Sequence, residues 1–147
     1  MRSRIVTLLA LLGFTFIAPA AQAQSEPDQA AVVKAGFELP AVKALLSRSG
    51  SPSVAVMQFP VALPEGVAAA ASWRKPLALQ TRADIAKANP DLFVAFQTFQ
   101  VRGDAATVVF KINYDRATSA PQVAEVTLGL KKKGAVWTVI SSQINKQ

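Results

Sequence analysis

Between Leu92 and Ile144 apolar and polar residues alternate in four successive runs, and this pattern restricts the fold more than any other feature of the chain. A period of two marks a strand with one buried face. Strand one is predicted from about Phe93 to Val101, with Gln97, Phe99 and Val101 on one side and Thr98 and Gln100 on the other. Arg102-Gly103-Asp104-Ala105 follows as a turn, because Gly supplies a positive φ and Asp can bond its own backbone. Strand two places Ala106, Val108, Phe110, Ile112 and Tyr114 together. Asp115 to Gln122 reads as a longer loop, and strand three places Ala124, Val126, Leu128 and Leu130 together. Lys132-Lys133-Gly134 is the next predicted turn. Strand four covers Val136 to Ile140, with Trp137 and Val139 inward, and fades through Ser141 to Ile144. Short turns between successive strands make an antiparallel meander. Its apolar face must be covered, and the N-terminal half has to supply the cover.

The chain starts with Arg2 and Arg4, an uncharged apolar run from Ile5 to Ile17, and Ala21-Gln22-Ala23. A positive flank, a short apolar core and an Ala-x-Ala end describe a secretory signal peptide, with cleavage expected after Ala23. The predicted organisation is therefore a leader over 1–23 and one α+β domain over 24–147. A periplasmic or secreted location follows, with no membrane-spanning segment after cleavage, since a run of this length is too short to cross a bilayer comfortably. The remaining 124 residues suit one modest core. There is no Cys, so packing alone holds it. The mature chain carries 14 basic and nine acidic residues, a net +5. Such a charge attracts anionic surfaces loosely. The charges are scattered, which reads as an ordinary solvated surface.

Ser25 to Gly50 is predicted helical. Ser25-x-x-Asp28 has the pattern of a capping box, and Pro27 lies in the first turn, where Pro is tolerated. Val32, Val33 and Phe37 form an apolar stripe, and Pro40 breaks the helix. A second piece, Ala41 to Arg48, buries Val42, Leu45 and Leu46. Val54-Ala55-Val56-Met57 reads as a short strand at a sheet edge, with Pro60 after it. Pro64 to Trp73 is Ala-rich and allows one or two helical turns. Leu77-Ala78-Leu79 reads extended, and Thr81-Arg82-Ala83-Asp84 opens a short helix to about Ala88. Asn89-Pro90-Asp91 turns the chain into the meander.

The segment from Trp73 to Ile144 resembles the C-terminal part of small exported bacterial proteins of the cystatin-like and nuclear-transport-factor-two-like superfamily. The residues that carry the resemblance are Asn89-Pro90-Asp91-Leu92, Val101-Arg102-Gly103-Asp104-Ala105, Lys132-Lys133-Gly134 and Trp137-x-Val139. It implies a curved sheet wrapped on an N-terminal helix, often around a cone-shaped cavity. Members include isomerases, cyclases, dehydratases and binding modules. Pro40 departs from the long unbroken first helix of that pattern.

The residue inventory excludes much chemistry. Without His or Cys there is no Ser-His-Asp or Cys-His nucleophile and no zinc site built on those ligands. Gly-rich phosphate loops and calcium loops are missing from the sequence. No metal or other cofactor is implied. Acid catalysis would need two carboxylates, or one beside a Tyr, in a dry cavity. The one Tyr is Tyr114, followed by Asp115, and on a strand the two would point to opposite faces. Arg102-Gly103-Asp104 matches an integrin-binding tripeptide, but turn chemistry alone accounts for it. Trp73-Arg74-Lys75, near Arg82, joins an aromatic to cations and is a weak binding candidate, as is Tyr114. Anchoring of a loop to the core explains Trp73 more simply. The strand faces carry no aromatic ladder interleaved with cations, which argues against nucleic acid. The sequence thus points to an exported, non-catalytic binding or accessory module whose ligand is unknown, an anionic surface or a small apolar molecule being the candidates. The alternative is a small cavity enzyme of the isomerase or dehydratase kind.

Overall fold

A computed structural model describes residues 25–147. The expected leader over 1–23 lies outside the described residues. The domain is α+β, with four helices and a six-stranded mixed sheet in the order β2-β1-β3-β4-β5-β6. In chain order the elements are α1 (Glu26–Phe37), α2 (Pro40–Leu46), β1 (Val54–Met57), α3 (Glu65–Ala70), β2 (Leu77–Gln80), α4 (Arg82–Ala88), β3 (Phe93–Arg102), β4 (Ala105–Tyr114), β5 (Gln122–Lys133) and β6 (Val136–Lys146).

β3 to β6 form the expected antiparallel meander. Ala106, Val108, Phe110, Ile112 and Tyr114 of β4 are buried together with Ala124, Val126, Leu128 and Leu130 of β5. Gly103 has a φ of +60°, as the two-residue hairpin loop between Arg102 and Ala105 requires. Three details of the meander differ from expectation. β5 continues through Lys132 and Lys133, so the turn is Gly134-Ala135, with Gly134 at a φ of +62°. β6 does not fade but pairs to Lys146. A bulge interrupts β3 between Phe96 and Thr98, and another inserts Ile140 opposite the Gly129–Leu130 step. Each bulge switches the alternation, so Val94 and Phe96 share the inner side with Phe99 and Val101.

β1 is not an edge. It runs parallel to both neighbours, with β2 on one side and β3 on the other. The Leu77–Gln80 segment takes the outer position instead, and all four residues of β1 pair with it.

Both Pro residues of the helical region act as the sequence suggests. Pro27 sits in the first turn of α1, and Pro40 starts α2 after the cap at Glu38. α1, α2 and α3 cover one face of the sheet, where Phe37, Phe96 and Phe110 meet with ring centroids 5.5–6.3 Å apart. All three are at most 1% exposed, so this space is filled by side chains rather than left as a cone. Gly36 permits the close approach of α1, since a Cβ there would lie 2.8 Å from Leu128 Cδ1. α4 packs on the opposite face through Ile85, against Ala55, Phe93 and Ala95. A full capping box starts α4, with Thr81 Oγ1 accepting from the Asp84 N–H and the Asp84 carboxylate accepting from the Thr81 N–H.

Candidate functional site

Two polar clusters, at opposite ends of the meander, engage Asp91 and Asp115 at one end and Asp28 at the other. The first lies where α2 ends, β3 begins and β4 ends. Arg48, just past α2, grips Asp115 with two bonds, Nε to Oδ1 at 2.9 Å and Nη2 to Oδ2 at 2.6 Å. Its guanidinium also lies 5.4 Å from the Tyr114 ring centroid. Tyr114 and Asp115 therefore meet the same cation, contrary to the alternation argument. The reason is local: β4 ends at Tyr114, and Asp115 takes a left-handed φ of +54° that turns its side chain back. Asp91 lines the same cleft, a hollow of about 170 Å³ that also touches Leu92, Ala117 and Thr118. Its Oδ1 accepts from Ser49 Oγ at 2.9 Å and its Oδ2 from the Gly50 N–H at 3.3 Å. Lys75 completes the knot by donating to the Ser49 carbonyl at 2.7 Å. Arg116 donates to the Pro90 carbonyl at 2.7 Å and stacks 4.9 Å from the Phe93 ring.

This arrangement brings two carboxylates to one cleft, with the Tyr114 ring buried beneath Arg48 rather than lining it. Every carboxylate oxygen in it already accepts a hydrogen bond from the protein. A bidentate Arg fixes the plane of a carboxylate. Both carboxylates are thereby held in fixed orientations by the protein itself. The cluster acts as a clasp from α2 to the sheet.

The second cluster lies at the other end. Asp28 Oδ1 accepts from both Trp137 Nε1 and Lys132 Nζ, each at 2.9 Å, and Oδ2 accepts from Ser25 Oγ at 3.0 Å. Ser25 Oγ accepts from the Asp28 N–H at 3.3 Å, which makes half of the expected capping box. The other half is replaced, because the Asp28 carboxylate is turned to β5 and β6 instead of back to Ser25 N–H. The bonds from Trp137 and Lys132 hold the carboxyl down at about 2.

The other sequence candidates are dispersed. Trp73 is 9% exposed and belongs to the inner core, with the Arg74 guanidinium 5.6 Å from its ring. Its buried Nε1 makes no hydrogen bond of good geometry, although the indole adds a small part to the lowering of the Glu38 carboxyl, which is due mainly to Lys43 at 3.0 Å. Lys75 is tied into the first cluster. Arg82 opens α4 on the opposite face, 5.4 Å over the exposed Phe59 ring. Trp73 and Arg82 thus serve different faces of the sheet and do not form one platform. Arg48 and Ser49 carried no sequence signal, and Asp91 carried only that of a turn. They are isolated polar residues at the ends of elements, and Arg48 meets Asp115 from 67 positions away.

Among the described residues no group of three acids could hold a metal ion, and no helix is long and apolar enough to cross a membrane. A surface groove of about 390 Å³ separates α1 from α3, floored by Ala30, Ala31, Gly66 and Ala70 with Glu26 and Lys34 at its rim.

No protein-family model matches the sequence, and no curated protein matches it. In structure the chain is similar to an NTF-2 like protein of unknown function from Silicibacter pomeroyi. That likeness spans 83% of this chain and 90% of the other at 15% identity, with a TM-score of 0.33. The α+β architecture rests on the strand order and helix packing described above rather than on this likeness.

Proposed function

We propose that the protein is an exported, non-catalytic binding or accessory module. The observation that carries the non-catalytic part is the filled helix side of the sheet. The positions that would line a catalytic cavity are occupied by the Phe37, Phe96 and Phe110 rings and by aliphatic side chains that offer no proton donor. The two carboxylates that share a cleft, Asp91 and Asp115, are each held through both oxygens, Asp91 by Ser49 and Gly50 and Asp115 by Arg48. General acid–base work needs a group whose proton can come and go near the working pH. Support for export comes from Arg2, Arg4, the Ile5–Ile17 run and the Ala21-Gln22-Ala23 end.

One preparation tests both parts. Protein recovered from its native host should begin at or near Gln24 and lie in the periplasm or medium. An intact Met1 on a membrane-bound product would overturn export. The same protein, incubated with metabolite extract of the host and followed by mass spectrometry, should consume nothing beyond a heat-treated control. A turnover that collapses in Asp91→Asn or Asp115→Asn would replace the module by the cavity enzyme.

A further inference from the structure

The sheet has two edges of very different kind. β2 is four residues long, whereas β6 is eleven residues long and has no neighbour on its far side among the described residues. A long open edge is a template for another strand unless the fold blunts it. Part of β6 is blunted: the extra residue at Ile140 breaks the regular spacing there. Beyond it, Ser141 to Lys146 pairs with β5 without interruption. Gln147 N–H donates to the Val123 carbonyl at 2.8 Å, which fixes the phase of the ladder. Asn145, Gln143 and Ser141 turn their backbone groups to β5. Ser142, Ile144 and Lys146 turn theirs outward, presenting a row of N–H and C=O groups along the free side.

Next to that row is a groove of about 270 Å³ between α2 and β6, lined by Ala41, Ala44, Leu45, Arg48, Ile144 and Lys146. A strand added to β6 would direct alternate side chains into this groove and the others along Ser141, Gln143 and Asn145. The groove is apolar in its middle. Its charges are both cationic, and Arg48 is already neutralised by Asp115. β6 contains no acid, and none of the ion pairs among the described residues includes Lys146.

We infer that the Ser141–Lys146 edge of β6 docks an extended segment of a partner protein, with an apolar side chain in the α2–β6 groove and a carboxylate within reach of Lys146. The inference rests on the module reading and names its binding edge. Charge complementarity selects the occupant. A second copy of this chain would bring another net positive surface and another acid-free β6, whereas an acidic extended segment supplies the missing sign. Backbone pairing supplies affinity, and the groove supplies selectivity.

The test is a random linear peptide library displayed on phage and panned against the folded protein, wild type and two variants. Ser142→Pro removes an outward N–H while leaving the ladder to β5 intact, and equal thermal melts would show that it folds. Lys146→Glu changes one exposed side chain and serves if the Pro variant does not fold. The wild type should enrich peptides with alternating apolar and polar residues and an Asp or Glu. Their binding should fall by about tenfold in Ser142→Pro, the scale of one lost hydrogen bond. Lys146→Glu should abolish the preference for acids. No enrichment above a blank surface would overturn the proposal. A dimer that Ser142→Pro dissolves would also overturn it, by giving the edge to a second copy. Peptides held equally by all three proteins would leave the module reading standing and remove β6 as its edge.

Discussion

The two faces of the sheet are built on different terms. The inner face lies under three helices, and its cluster extends from α1 through all of β3 to β5. The outer face has one short helix and a cluster of Ala55, Ile85, Phe93 and Ala95, with Met57 packed against it. α4 has seven residues, a length of about 10 Å, which covers roughly two strands at their usual spacing. It therefore shields only the β1–β3 corner. The outer face of β4 to β6 is left to Thr107, Lys111, Glu125, Thr127 and Gln143, which remain in contact with water. One sheet thus has a doubly covered part and a singly covered part.

This contrast can be broken by substitution, and the largest effect belongs to the inner face. Phe110→Ala removes a ring that meets both Phe37 and Phe96, and denaturant melts should show a loss of about 3–5 kcal/mol. A loss under about 1 kcal/mol would mean that the inner face is not the packed one. Ile85→Ala strikes the thinner outer cluster and should cost about 2 kcal/mol, the low end for a buried aliphatic, because few neighbours surround it.

A smaller effect tests the seam between α1 and the sheet. Asp28→Asn weakens the bonds from Lys132 and Trp137 and should cost about 1.5 kcal/mol at neutral pH. The pH dependence has a definite sign. The Asp28 carboxyl is lowered from 3.8 to about 2 in the folded chain, so its contribution is complete above the ordinary value and is lost as pH falls toward about 2. Acid titration of stability should be shallower in Asp28→Asn than in the wild type over that interval. The smallest effect is expected at Ile140, which is 63% exposed on the bulge. Ile140→Thr should change stability by less than about 0.5 kcal/mol. A larger loss would reveal an unseen cover on β6.

The same contrast explains what the sequence disclosed. β4 and β5 alternate cleanly because one of their faces is wet, and their inner residues could be read off one by one. Val54–Met57 and Phe93–Phe96 are continuous apolar runs because both sides are covered there. Such a run does not say whether it is central or at an edge, and β1 pairs in parallel with strands that lie 23 and 38 positions further along, Leu77 with Val54 and Phe93 with Ala55. The bulges at Gln97 and Ile140 left no mark, since no Gly or Pro signals either one. Of the polar clusters, the sequence exposed Tyr114, Asp115 and the Ser25–Asp28 cap. It did not show that Arg48 would reach Asp115, or that Asp28 would bond Lys132 and Trp137 more than a hundred positions away. Those pairings depend on how three helices settle on the sheet, which local pattern does not encode.

The helix side of the sheet is filled around Phe37, Phe96 and Phe110, and the proposed module reading depends on that packing. Diffraction from a crystal pressurised with xenon tests it directly, because xenon enters apolar space that is empty. No xenon is expected among Phe37, Phe96 and Phe110. A xenon atom bound between those rings would contradict it and reopen the interior as a site for chemistry.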